Sequence, residues 1–172
     1  MGGFPHFYFY TMAEYSFKPD VIVGEDGEDF TIQYLIMHWK GTLIEQRRDY
    51  MWDFSMEFPN SGYQTFEIKT DVYCIPDKEF NGLKIKGTDT GNLFIEYECR
   101  GKKSGINVTT ATWFVTYFKY LNELWFITTD KLKTLINENN FPIGVGGDVG
   151  SNSTGYLIPR EKYRKHFIVK EV

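Results

Sequence analysis

Glu28 to Lys40 (EDFTIQYLIMHWK) places Ile32, Leu35, Ile36 and Trp39 at i, i+3, i+4 and i+7, one apolar stripe of a helix. Gly41 stands where such a helix ends. Glu25, Asp26, Glu28 and Asp29 crowd its start, where the helix dipole favours negative charge. Thr42 to Arg48, Tyr50 to Phe58 and Tyr63 to Tyr73 read as strands. The last two flank Pro59-Asn60-Ser61-Gly62, a turn cluster of the kind that closes a hairpin. Residues 74–91 read as a polar connection, Asn92 to Cys99 as a further strand, and Lys102, Lys103 and Ser104 as a loop. The aromatic run Thr109 to Phe118 reads as a second helix and Leu124 to Thr128 as a short strand. Thr129 is placed to cap a helix through Leu132, Leu135 and Ile136, ended by Asn139 and Asn140. A glycine-rich loop, Gly144 to Gly155, then leads through Tyr156 to Pro159 into a basic C-terminus read as a solvated tail.

This order predicts an α/β fold: a single domain with a mixed central β-sheet flanked by helices. The domain is placed at residues 21–172, behind an N-terminal extension at residues 1–20. A length of 172 residues suits one domain, and 42% hydrophobic content lets it bury a core. The net charge of −4 argues against a strongly basic, histone-like binder. No apolar run is long enough to cross a bilayer, so no membrane association is expected. Cys74, Cys99 and three histidines suggest neither a disulfide framework nor a zinc site. Met1 to Tyr10 lacks the basic start of a signal peptide, and the expected location is cytoplasmic, or the host cytoplasm for a viral protein. Aromatic residues make up 18% of the chain, which fits a core built largely from rings.

The chemistry concentrates in the expected hairpin. Asp53 lies on its first strand and Glu67-Ile68-Lys69 on its second, where Glu67 and Lys69 share a face. A short turn brings Asp53 close to that pair. Carboxylates are hard oxygen ligands suited to Mg²⁺ or Mn²⁺. Such an ion polarises a phosphate and lowers the pKa of water, while a lysine orients or deprotonates that water and offsets developing negative charge. A Glu/Lys pair two residues apart is commonly a solvated face. Here YMWDFSM and YQTFEIKTD surround it with residues typical of a central strand, where isolated charge is costly.

Asp53, Glu67 and Lys69, behind a helix carrying Glu28, resemble the PD-(D/E)XK nuclease superfamily over roughly Glu25 to Thr128. Trp52 stands where that motif often has proline. The stretches TGNLFIEYE, GKKSGI and TTATWF are similar to those of small phage-encoded or Holliday-junction-resolving members. The resemblance implies a restriction-endonuclease-like core of a helix, three strands, a helix and a strand. It implies Asp53, Glu67 and Lys69 as catalytic residues, and Glu28, Asp53 and Glu67 as the metal set. The activity implied is a Mg²⁺- or Mn²⁺-dependent deoxyribonuclease, an endonuclease selective for branched or damaged DNA. A homodimer is expected, because cutting both strands together takes two protomers.

A competing frame joins Asp71 to Glu96 and Glu98, and Glu96 also stands as an auxiliary carboxylate beside the preferred set. Arg47, Arg48, Lys102, Lys103 and Ser104 are candidate contacts to a DNA backbone. Lys162, Arg164, Lys165 and His166 form the most basic stretch. The loop from Gly144 lacks the Gly-Lys-Ser/Thr of a nucleotide-binding P-loop. The alternative function is a non-catalytic viral accessory protein that binds nucleic acid or a host protein.

Overall fold

The stripe from Ile32 to Trp39 lies on one long helix, α1 (Met12–Trp39), in the computed structural model. The structure describes residues 12–47, 51–146 and 152–172, with side chains of α1 from residue 24 onward. The helix therefore begins inside the segment read as an extension. It stops where expected, but by a different device. Lys40 takes the left-handed conformation with φ 60°, and the Gly41 N–H donates to the Leu35 carbonyl at 3.3 Å, a helix-terminating bond. Gly41 serves close packing instead: a Cβ there would stand 2.6 Å from the Phe58 ring and 2.8 Å from the Met56 methyl.

β1 (Thr42–Gln46), β2 (Phe54–Phe58) and β3 (Gly62–Asp71) follow as antiparallel neighbours. The expected hairpin pairs Phe54 with Phe66 and Phe58 with Gly62. The chain then leaves the sheet. β4 (Lys78–Phe80) and β5 (Leu83–Ile85) form a separate ribbon, β6 (Asn92–Cys99) and β7 (Lys102–Lys103) form another pair, and a 3-10 turn spans Gly105–Asn107. β8 (Trp113–Phe118) returns alongside β3 in parallel, and β9 (Glu123–Thr128) and α2 (Thr129–Asn137) come next. β10 (Ile143–Gly146), β11 (Ser153–Pro159), α3 (Arg160–Tyr163) and β12 (Ile168–Glu171) complete the order. The result is a mixed six-stranded sheet, β1-β2-β3-β8-β9-β12, and a four-stranded sheet, β10-β11-β6-β7.

Five expectations are corrected. The loop read at Lys102–Ser104 begins with a strand, because Lys102 and Lys103 of β7 pair with Cys99 and Glu98. Thr109 to Phe118 holds no helix; its second half is β8. Trp, Phe, Val, Thr and Tyr suit a pleated surface, and this strand is covered on both faces, so it reads as a continuous apolar run. The connection at 74–91 contains the β4–β5 ribbon. The glycine-rich stretch supplies β10 and the start of β11, its residues 147–151 lying outside those described. The basic C-terminus is not a tail: β12 pairs with β9 from Ile168 opposite Phe126 to Glu171 opposite Glu123. α2 stands where expected, although Thr128 rather than Thr129 occupies its N-cap and its side chain accepts no capping bond.

Two cores lie on opposite faces of the large sheet. On one, Ile32, Tyr34 and Leu35 of α1 pack on Phe54, Met56, Phe66, Ile68, Val115 and Phe126. On the other, Leu93, Ile95 and Ile158 of the second sheet meet Phe114, Phe118, Trp125 and α2. Buried Arg160 ties the excursion to the C-terminal segment by gripping the Asp89 carboxylate, its guanidinium 4.8 Å from the Phe118 ring centre. Phe126 is wholly buried, with Trp39 at 4.8 Å and Tyr34 at 6.3 Å between ring centres. Phe126→Ala is expected to cost about 3–5 kcal/mol in urea unfolding. A loss under about 1 kcal/mol would show that α1 does not depend on this face of the sheet.

Candidate active site

The β2–β3 register carries Asp53 to the residues it was expected to meet. Just before β2, its N–H donates to the Phe66 carbonyl at 2.8 Å, and its carbonyl accepts the Arg47 N–H at 2.6 Å. Its carboxylate Oδ2 accepts the backbone N–H of Ile68 at 2.6 Å. Ile68 stands between Glu67 and Lys69, so Asp53 is pinned across the hairpin to the middle of that tripeptide. The Met51 carbonyl, accepting the Thr109 hydroxyl at 3.1 Å and the Thr110 N–H at 2.9 Å, fixes the approach to Asp53 against the lead into β8.

Strand alternation then sorts β3. Phe66 and Ile68 enter the core under α1, so Glu67 and Lys69 project from the other face. Lys69 Nζ stands 2.7 Å from Glu67 Oε1, with Glu67 6% exposed and the Lys69 side chain 44% exposed. Burial alone would lower the Lys69 pKa. The charges of Glu67 and Asp53, the hydrogen bond to Glu67 and the charge of Glu96 outweigh it and hold the pKa above the ordinary lysine value. Lys69 is therefore an ammonium in this arrangement, a donor and a countercharge.

Glu96 arrives from the second sheet. It accepts a hydrogen bond from the Ser104 hydroxyl at Oε1, and its backbone is braced by Gly105. Gly105 has φ 48°, and a Cβ there would stand 2.3 Å from the Glu96 carbonyl oxygen, so only glycine fits. Lys69, Asp71 and Thr116 on one side and Phe94, Glu96 and Leu157 on the other line a cleft of about 480 Å³. Sequence reasoning missed Phe94, Thr116 and Leu157. The available signal was Gly146 and Gly155, which leave room for the Phe94 ring at 2.9 and 2.6 Å from where their Cβ atoms would be.

The other candidates have partners of their own. Glu28 lines a different cleft with Glu25, Asp29, Gln46 and Arg47. Asp71 accepts from the Tyr73 and Cys74 N–H groups at 2.8 and 2.9 Å and from the Cys74 thiol at 3.2 Å. Burial and that carboxylate push the Cys74 thiol pKa up. Glu98 faces Lys103 in the β6–β7 register. Arg47 lies over Trp52, 4.6 Å from the ring centre, and bonds Glu45 at 3.0 Å. Lys102 and Lys103 are exposed, while Ser104 is engaged by Glu96. Arg48 lies outside the described residues.

Among the described residues no three Asp, Glu, His or Cys side chains form a ready-made metal group. Asp53, Glu67 and Glu96 are oxygen donors of the kind a hard divalent ion takes, and the charge of each acts on Lys69.

Removing the Lys69 charge leaves Glu67 buried beside other carboxylates. Lys69→Met is expected to lose about 1–2 kcal/mol at neutral pH, a buried-pair cost reduced because the lysine is partly exposed. A raised lysine pKa stabilises the fold in full below about 10.4 and stops doing so as pH rises through the higher folded value. The difference between wild type and Lys69→Met should hold from pH 7 to about 10 and shrink only above it, as read by urea unfolding. Equal stability at pH 7 would remove the ion pair from the account. No family model, curated protein or solved structure matches this chain.

Proposed function

We propose that the chain is a metal-dependent DNA endonuclease of the PD-(D/E)XK type, with a restriction-endonuclease-like core. One observation carries the reading: the Asp53 carboxylate is locked onto the Ile68 N–H, at the centre of a Glu67–Lys69 pair whose lysine lines a cleft with Glu96. The strand order β1-β2-β3-β8, with its last pair parallel and α1 across one face, also supports it. The connection from β3 to β8 carries strands and a 3-10 turn where that core expects a helix.

Asp53 and Glu67 would hold Mg²⁺ or Mn²⁺ beside Lys69, whose cleft Glu96 also lines. When bound, the ion polarises the scissile phosphate and makes water acidic enough to attack near neutral pH. Lys69 acts here through its charge: the ammonium donates a hydrogen bond to the attacking water or to a phosphate oxygen and offsets charge in the transition state. To hold the ion, Glu67 would give up part of its contact with Lys69. The substrate class is DNA, and paired cleavage of two strands would use a homodimer. Among the described residues no helix is long and apolar enough to cross a membrane.

A second reading is a non-catalytic nucleic-acid or protein binder. It is favoured by the absence of a ready-made metal group among the described residues, with Lys69 already neutralising the carboxylates.

The test is cleavage of plasmid, single-stranded and four-way-junction DNA with Mg²⁺ or Mn²⁺, together with melting temperature with and without the ion. Metal-dependent cutting is expected, reduced at least about 100-fold by Glu67→Gln and by Lys69→Ala in folded protein. The ion should raise the melting temperature of wild type and not of Glu67→Gln. No cutting and no metal-dependent shift would overturn the nuclease and favour the binder.

A further inference from the structure

The excursion between β3 and β6 builds an arm. β4 and β5 pair only with each other among the described residues. Their turn is Asn81-Gly82, with φ 50° and 76°, the doubly left-handed turn that matches strand twist. Phe80 stands opposite Leu83, Lys78 opposite Ile85 and Glu79 opposite Lys84. Alternation therefore puts Phe80, Leu83, Ile85 and Lys78 on one face. That face is uncovered: Phe80 is 66% exposed, Leu83 70% and Ile85 54%.

The root of the arm is held firmly. The Gly87 N–H donates to Asp77 Oδ1 at 2.7 Å, and the Thr88 and Asp89 N–H groups donate to the Ile75 carbonyl at 2.9 and 3.0 Å. Asp89 is in turn gripped by buried Arg160. Tyr73, Thr88 and Thr90, on either side of the arm, line the cleft that contains Lys69 and Glu96.

We propose that the β4–β5 ribbon is a wedge for DNA whose base stacking is already interrupted, at a mismatch, bulge or branch point. Phe80 and Leu83 enter the open step, while Lys78, Lys84 and Lys86 lie along phosphates. The inference rests on the nuclease reading and adds its substrate selection. One feature of the chain and the energetics of the two kinds of interface favour DNA as the occupant. Residues 78–86 carry Lys78, Lys84 and Lys86 against Glu79 alone, a basic stretch on a protein of net charge −4. A stable protein interface buries about 800 Å² on each partner, far more than three apolar side chains offer. A wedge needs only one or two apolar side chains between base steps, flanked by backbone contacts. Opening an intact stack costs a few kcal/mol, which so small a ribbon cannot recover, whereas a damaged or branched site has already lost it.

The test is fluorescence anisotropy of the full chain in EDTA. The DNAs are an intact duplex, the same duplex with a central mismatch or bulge, and a four-way junction, with 2-aminopurine beside the interruption. Wild type should prefer interrupted DNA by about tenfold and brighten the aminopurine. Phe80→Ser/Leu83→Ser should lose both effects while keeping its melting temperature, since both side chains lie in solvent. Lys84→Glu/Lys86→Glu should weaken binding to every DNA and flatten its salt dependence. Unchanged preference in the tip variant would overturn the wedge. So would a dimer in sedimentation that the tip variant dissolves, because the face would then be a protein interface. Because EDTA binding needs no chemistry, the two readings fail separately. Tip-dependent binding without cutting leaves the wedge and removes the nuclease. Cutting that needs Glu67 but ignores the tip does the reverse.

Discussion

The parallel pairing of β3 with β8 is the constraint from which the rest of the architecture follows. Parallel neighbours cannot be joined by a tight turn, so the chain must leave the sheet and return in the same direction. Here the crossover is a β-excursion, and it cannot stay unsupported. β6 finds a partner in β11, brought from far along the chain, and the resulting sheet covers the second face of the large one. The cleft lies at the seam between these layers, with β3 and β8 supplying one wall and β6 and β11 the other.

Within that frame, one charge-assisted hydrogen bond sets the candidate chemistry. The Asp53 carboxylate satisfies the Ile68 N–H, so its position does not depend on a flexible side chain finding its place. Glu67 and Lys69 project together because Phe66 and Ile68 are committed to the core beneath α1. The hydrophobic burial of two neighbours thus orients two charged groups. Buried Glu67 and its carboxylate neighbours Asp53 and Glu96 repel one another, and the Lys69 ammonium offsets that repulsion. The same concentration of negative charge that raises its pKa would attract a divalent cation.

The arm at Lys78–Ile85 obeys a different logic. It contributes nothing to either core, and three large apolar side chains face solvent. A ribbon of two strands is marginal alone, so its order depends on its root at Asp77, Ile75 and Asp89. The arm's root therefore stands beside the cleft that Lys69 and Glu96 line, with Tyr73, Thr88 and Thr90 in its wall.

Local pattern alone determined the apolar stripe of α1, its stop near Gly41, the β2–β3 hairpin, the β6 and β9 strands and α2. Each rests on short-range periodicity and turn chemistry. The hairpin was sufficient to bring Asp53, Glu67 and Lys69 together, since a short turn leaves little freedom of register. KEFNGLKIK also carried a legible hairpin in its Asn-Gly turn, and the reading of 74–91 as a polar connection passed it over. Tertiary structure alone decided that the run ending in TWFVTYF is a strand, because a segment buried on both faces has no distinguishing period. It also decided that the basic end becomes an edge strand, that Ser104 serves Glu96, and that Glu28 lines another cleft. Those outcomes depend on contacts between segments far apart in the chain, and no local spacing encodes which partner a strand or side chain will meet.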